Sequence, residues 1–192
     1  MSRDPSPATF EGGPLDPDDT GEDLSRWGYW VPFEPSIDAA LDRLRHAVFN
    51  SGQYVLSGVL GFGPNFAELD AKWREENPGE AEDEDEAGEA WDGSVPESIE
   101  ALLEAAVDAG GTRTVIDMVA GVSETPEFMA VSPLTGSQLT ELFGTDRPTR
   151  AEVEAQSSRI LAFRDGWVGA YVIAYAAGTP AWLYFTGSSG AS

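Results

Sequence analysis

Nine residues near the carboxyl end, WVGAYVIAY at 167–175, limit the fold more than any other stretch. In extended backbone, successive side chains point to opposite faces. Trp167, Tyr171, Ile173 and Tyr175 therefore share one face, and Val168, Ala170, Val172 and Ala174 share the other. Both faces are apolar, so the strand must be covered on both sides and lie inside a sheet rather than at its edge. AAGTP follows as a five-residue connection and AWLYF as a second strand, which predicts a carboxyl-terminal β-hairpin.

Periodicity and breakers supply the elements around that hairpin. WGYWVPF sets Trp27, Tyr29, Val31 and Phe33 on one face of a first strand ended by Pro32 and Pro35. Buried aromatics are common, so this face reads as core lining rather than a platform for a sugar or a base. Ser36 caps a helix over 37–50 with an apolar stripe of Ile37, Ala40, Leu41, Leu44 and Val48, and Gly52 stops it. PESIEALLEAAVDAGG predicts a helix with Ser94 and Glu97 at capping-box spacing and a buried face of Ile99, Leu102, Leu103, Ala106 and Val107. RTVIDMVAGV and EFMAV read as strands. Thr135 with Gln138, then Thr149 with Glu152, mark two capped helices, the second over 150–163. The segment LFGTDRPTRAEVEA between them is a helix stop, a turn and a helix start. These elements make an α+β fold: a small, mainly antiparallel sheet packed against three to four helices.

Proline, glycine and aspartate crowd residues 1–26, which read as a disordered acidic tail; 27–186 form a single domain, and 187–192 fray as a flexible tail. Charge is distributed along these divisions. Of the net −23, residues 1–26 and 74–94 hold −14. The second stretch includes EAEDEDEAGEAWDG, whose like charges repel, and it reads as a flexible acidic insertion in an otherwise compact plan. Deleting residues 78–92 is expected to leave the thermal unfolding midpoint unchanged. A drop of more than about 3 °C, roughly 1 kcal/mol in a domain of this size, would show that the segment is packed.

The same composition narrows the chemistry. There are no cysteines, which removes disulfides, thiolate nucleophiles and zinc–thiolate sites. No run of about 18 apolar residues suggests a membrane span, and MSRDPSPATFEGG lacks the apolar region of a secretory signal, so a cytoplasmic location is expected. Acidity disfavours direct binding to nucleic-acid phosphates or to an anionic membrane surface. The single histidine, His46, projects opposite the apolar stripe of its helix, and no G-x-S-x-G turn accompanies it, which argues against a Ser-His-Asp site. The glycines at 58, 61 and 63 run G-x-x-G-x-G into Pro64, unlike a dinucleotide loop. Counted as a calcium loop from Asp83, the acid run has Ser94 where the bidentate glutamate belongs. No catalytic residue, metal ligand or cofactor site is therefore assigned.

Two features remain. Glu97, Glu100, Glu104 and Asp108 line up along the helix that follows the acid run, in a row facing away from its apolar side. Asp117 sits in an apolar stretch, where a carboxylate would be buried and paired with an arginine such as Arg113 or Arg159. The row suggests a small acidic binding protein for a basic protein partner, such as an immunity protein or antitoxin. A DNA-mimic inhibitor of a nucleic-acid-binding protein and a hydrolase using a carboxylate-bound divalent metal are the alternatives.

Overall fold

The computed structural model describes residues 10–14, 26–54, 96–106 and 110–189. The glycine-rich turn after Tyr54, the tract at 74–94, Ser94 and Asp108 lie outside them. Among the described residues no helix is long and apolar enough to cross a membrane.

Six strands form one mixed, mostly antiparallel sheet in an α+β fold: β1 (Glu11–Pro14), β2 (Arg26–Pro32), β3 (Gly121–Val122), β4 (Ala130–Pro133), β5 (Gly169–Ala176) and β6 (Thr179–Ser188). Their order is β1-β2-β6-β5-β4-β3. Only β3 with β4 and β4 with β5 run parallel. Strand β5, apolar on both faces in the sequence, is accordingly internal, between β6 and β4. The hairpin closes more tightly than a five-residue connection, because Ala176 already pairs with Thr179. That leaves Ala177 and Gly178 as a two-residue turn with φ of 48° and 80°, the positive values that a right-twisted hairpin of this length needs.

Helices cover both faces. On one side, α1 (Ile37–Ser51) and α2 (Ile99–Ala105) pack with the 115–117 turn on Trp27, Tyr29, Val31, Leu183 and Phe185. On the other, α3 (Gly136–Phe143) and α4 (Arg150–Ile160) pack on Trp30, Ala170, Val172, Ala174 and Tyr184. The period of two in each strand divides it between these layers. Local chemistry sets the helix ends as expected for three of the four. The Ser36 hydroxyl accepts from the Ala39 amide and Gly52 closes α1 at φ 69°. Thr135 with Gln138 and Thr149 with Glu152 form complete capping boxes on α3 and α4.

Elsewhere the structure departs from sequence expectation. Helix α2 starts at Ile99, capped by the extended Ser98, whose hydroxyl accepts from the Ala101 amide; Ser94 of the expected box lies outside the described residues. TVIDM forms a 3₁₀ turn over Val115–Asp117, not a strand. The Thr114 hydroxyl accepts from the Ile116 amide and Asp117 Oδ1 from the Thr112 amide, and these local bonds outcompete a strand ladder. Within 1–26, residues Glu11–Pro14 pair with β2 as an edge strand. Phe10 meets Tyr29 edge-on there, and Glu11 reaches Arg150. At the other end, Gly187 and Ser189 are buried, and the Ser189 hydroxyl accepts from the Trp27 indole at 3.2 Å.

Candidate functional site

Of the expected acidic row, Glu100 and Glu104 are carried by α2, a short helix that the core holds in place, whereas Glu97 precedes the extended Ser98 cap and so lies outside the helix. Ile99 and Leu102 are buried on its inner side, while Glu97, Glu100 and Glu104 are exposed. At 1.5 Å per residue, Glu100 and Glu104 are about 6 Å apart along the axis and on the same side. Asp108, the fourth member of the row, lies outside the described residues. The row is not a uniform field of like charge. Hydrogen bonds from the first helical turn, including the Ser98 hydroxyl, hold the Glu100 carboxyl below the usual carboxylate range, and the nearby bases Arg45 and His46 of α1 act in the same direction. Glu100 thus already faces positive charge within its own chain.

A second locus lies just beyond that helix. The amide of Gly111 donates to the carbonyl of Ala106 at 2.9 Å, and the chain then turns into the buried 112–118 segment. Asp117 is fully buried there. Its Oδ1 accepts from the Thr112 amide at 2.8 Å, and the Thr112 and Thr114 hydroxyls bond to each other at 2.8 Å. Among the described residues its Oδ2 has no hydrogen-bond partner, and neither does the buried Tyr29 hydroxyl. Burial pushes the Asp117 carboxyl above its ordinary range, against the opposing influence of the Ser189 hydroxyl and of Thr112 and Thr114. Tyr29 is pushed up chiefly by burial and then by the charge of Asp117.

The expected arginine partner is not in place. Arg159 donates to Gln156, and Arg113 forms no ion pair with Asp117. Arg45, the base that feels Asp117 from α1, directs its Nε to the Ile116 carbonyl at 3.1 Å instead. Among the described residues Asp117 thus has no ion-pair partner, and a buried carboxylate so placed is a costly arrangement that folds rarely keep. Burial was legible in the sequence from the apolar residues around Asp117. The missing partner was not, because it depends on where distant arginines are carried.

Strain gathers beside this carboxyl. Met129 and Trp167 have φ of 56° and 65°, values that side-chain-bearing residues seldom adopt. The Met129 amide donates to the Trp167 carbonyl at 2.7 Å, and the Ala120 amide to the Met129 carbonyl at 2.9 Å. Three segments are thereby laced together at the edge of the parallel part of the sheet. Trp167 lies before β5 rather than on its face, because its positive φ breaks the extended run. Phe128, expected in a strand, is 64% exposed with its ring 6.1 Å from that of Trp167. Asp165-Gly166, a turn signal directly before Trp167, is the sequence feature that marked this break.

The LFGTDRPTRAEVEA segment also has a tertiary role. At the start of α4, Arg150 stacks between Trp30 and Trp182, its guanidinium carbon 4.8 and 4.9 Å from the two ring centroids. The same side chain bridges Glu11 of β1 at 2.5 Å and Glu154 at 2.7 Å. Hydrogen bonds to these two carboxylates hold its pKa above the ordinary arginine value. Arg150 therefore clamps the edge strand to the outer helical layer.

His46 is exposed, and its Nδ1 lies 2.9 Å from the Asp42 carbonyl of the preceding turn. Among the described residues no three His, Asp or Glu side chains converge to hold a metal ion. The described residues thus present exposed acids at Glu97, Glu100 and Glu104 and, separately, the buried Asp117 carboxyl. Comparison of the chain with protein-family models, with curated proteins and with solved structures gives no match.

Proposed function

We propose that this chain is a small acidic binding protein for a basic protein partner, in the manner of an immunity protein or antitoxin. The observation that carries the reading is the exposed pair Glu100 and Glu104 on α2, whose opposite side is locked into the core by Ile99 and Leu102, with the exposed Glu97 just ahead of the Ser98 cap. Charges presented from a fixed element steer a complementary surface into register without an ordering cost on each encounter. The −23 net charge adds a long-range field of the same sign.

The test uses a partner recovered by pull-down and an association rate measured by stopped flow at low and high salt. The double variant Glu100→Lys, Glu104→Lys is expected to associate about tenfold more slowly at low salt, with the difference shrinking as salt screens the field. An unchanged rate removes the row from recognition. If the recovered partner binds DNA and DNA competes for the same surface, the carboxylates are acting as phosphate mimics.

A further inference from the structure

Val119 and Phe128 are the two large hydrophobic residues that stand exposed among the described residues, at 46% and 64%. They are neighbours in space, because the hydrogen bonds from Ala120 to Met129 and from Met129 to Trp167 lay their segments side by side. Trp167, itself half-buried, completes the patch through its ring contact with Phe128. The exposed acids Glu124, Glu127 and Asp165 lie in the same segments. The nearest base along the last of these, Arg164, is turned away, with its guanidinium spent on the carbonyls of Ser132, Pro133, Phe163 and Gly169. An apolar centre with an acidic surround suits a partner surface that offers apolar contact and positive charge.

Beneath the patch lies the open oxygen. A Cβ placed on Gly111 would come within 2.6 Å of the Trp167 ring and 3.0 Å of Asp117 Oδ2. The ring and the carboxyl therefore meet across this one glycine, and a larger residue there would hold them apart. Asp117 Oδ2 borders the same space over Gly111 as the Trp167 ring, is fully buried and has no hydrogen-bond partner among the described residues. Trp167 has a left-handed backbone, a costly conformation for a residue with a side chain and one that clusters at ligand clamps and switch regions.

We propose that the Val119–Phe128–Trp167 face is the docking centre for the basic partner, which seats one arginine or lysine side chain over Asp117 by displacing the Trp167 ring. The inference rests on the basic-partner reading above but puts the specific contact here, leaving the Glu97–Glu104 row to steer. An incoming cation supplies the counterion that Asp117 lacks, and Trp167 and Phe128 supply ring faces that attract it. The charged and titratable groups that already face Asp117, Tyr29 from β2 and Arg45 from α1, leave its Oδ2 open.

n-Butylguanidinium is a suitable probe, with neutral n-butylurea as its control, followed by the Trp167 indole resonance and by tryptophan fluorescence. The charged probe is expected to shift the Trp167 signal saturably and the urea is not. Asp117→Asn is expected to weaken binding at least tenfold. Phe128→Ala, at an exposed position where folding is not at risk, is expected to weaken it several-fold with an unchanged unfolding midpoint. Absence of a saturable shift, equal binding of the neutral probe, or full affinity in Asp117→Asn overturns the proposal. The two readings separate cleanly. Normal probe binding in the Glu100→Lys, Glu104→Lys variant supports this site whatever becomes of the row. A recovered partner that depends on the row but binds Phe128→Ala and Asp117→Asn as well as wild type overturns this site alone.

Discussion

Replacing Trp27 with alanine is expected to cost about 3–5 kcal/mol of folding stability, the largest loss from any single truncation proposed for this protein. The ring is wholly buried in β2, packed 6.0 Å from Tyr29. It also fills the space above Gly187 that a Cβ at that glycine would occupy. Truncation leaves a cavity that neighbouring strands, held by their ladders, fill only in part. It also deprives the buried Ser189 hydroxyl of its donor at 3.2 Å. Trp27→Phe keeps most of the apolar volume and is expected to lose much less, on the order of 1–2 kcal/mol. Urea unfolding at constant m-value measures both. A loss below about 1 kcal/mol for the alanine variant would mean that the ring is not core, and the aromatic-platform reading of WGYW would return.

Asp117→Asn is expected to do the reverse and stabilise the protein at neutral and alkaline pH. The sign follows from the direction of the shift. Burial raises the Asp117 carboxyl above its ordinary range in the folded chain, so the folded state binds that proton more tightly than the unfolded one. Stability contributed by the protonated form is then fully present below the unfolded pKa. It falls as pH rises from there through the raised folded pKa, and it stays low above that. Asparagine keeps an oxygen for the Thr112 amide and carries no charge at any pH, so the variant lacks this slope. Glu11, Glu100 and Glu152 have lowered pKa values and give slopes of the opposite sign. They are common to both proteins and cancel in the difference. The urea midpoint of Asp117→Asn minus that of wild type should therefore grow with pH from the ordinary carboxylate range upward and then level off. A difference that is flat with pH, or that falls, shows that Asp117 is compensated in the folded state. Taken with the docking proposal, the variant would be more stable and less able to bind, the usual exchange at a site that keeps an unpaired charge.

The hairpin and the caps show how far local patterning reaches. Ser36, Gly52, Thr135 with Gln138 and Thr149 with Glu152 each act through hydrogen bonds within a few residues of chain, and each ends its helix where its position implies. The two apolar faces of 167–175 likewise required an internal strand, and β5 is one, although Trp167 itself left the run. Patterning misled where two local signals competed. TVIDM has the β-branched composition of a strand, yet the Thr114 and Asp117 side chains satisfy the backbone in a 3₁₀ turn. It was also silent where burial does not decide: Phe128 looks like a core residue in sequence and stands exposed.

What the sequence alone determined is therefore the α+β class, the capped helices, the terminal hairpin and the concentration of −14 of the −23 charge in residues 1–26 and 74–94. Each of these is a short-range matter of side-chain period, cap chemistry and composition. Tertiary structure decided the parallel pairing of β3, β4 and β5, the clamp in which Arg150 meets Trp30, Trp182 and Glu11, and the meeting of Asp117 with Gly111 and Trp167. These join positions far apart along the chain. Their energies depend on which distant groups arrive together and which partner fails to arrive, and no local pattern encodes that.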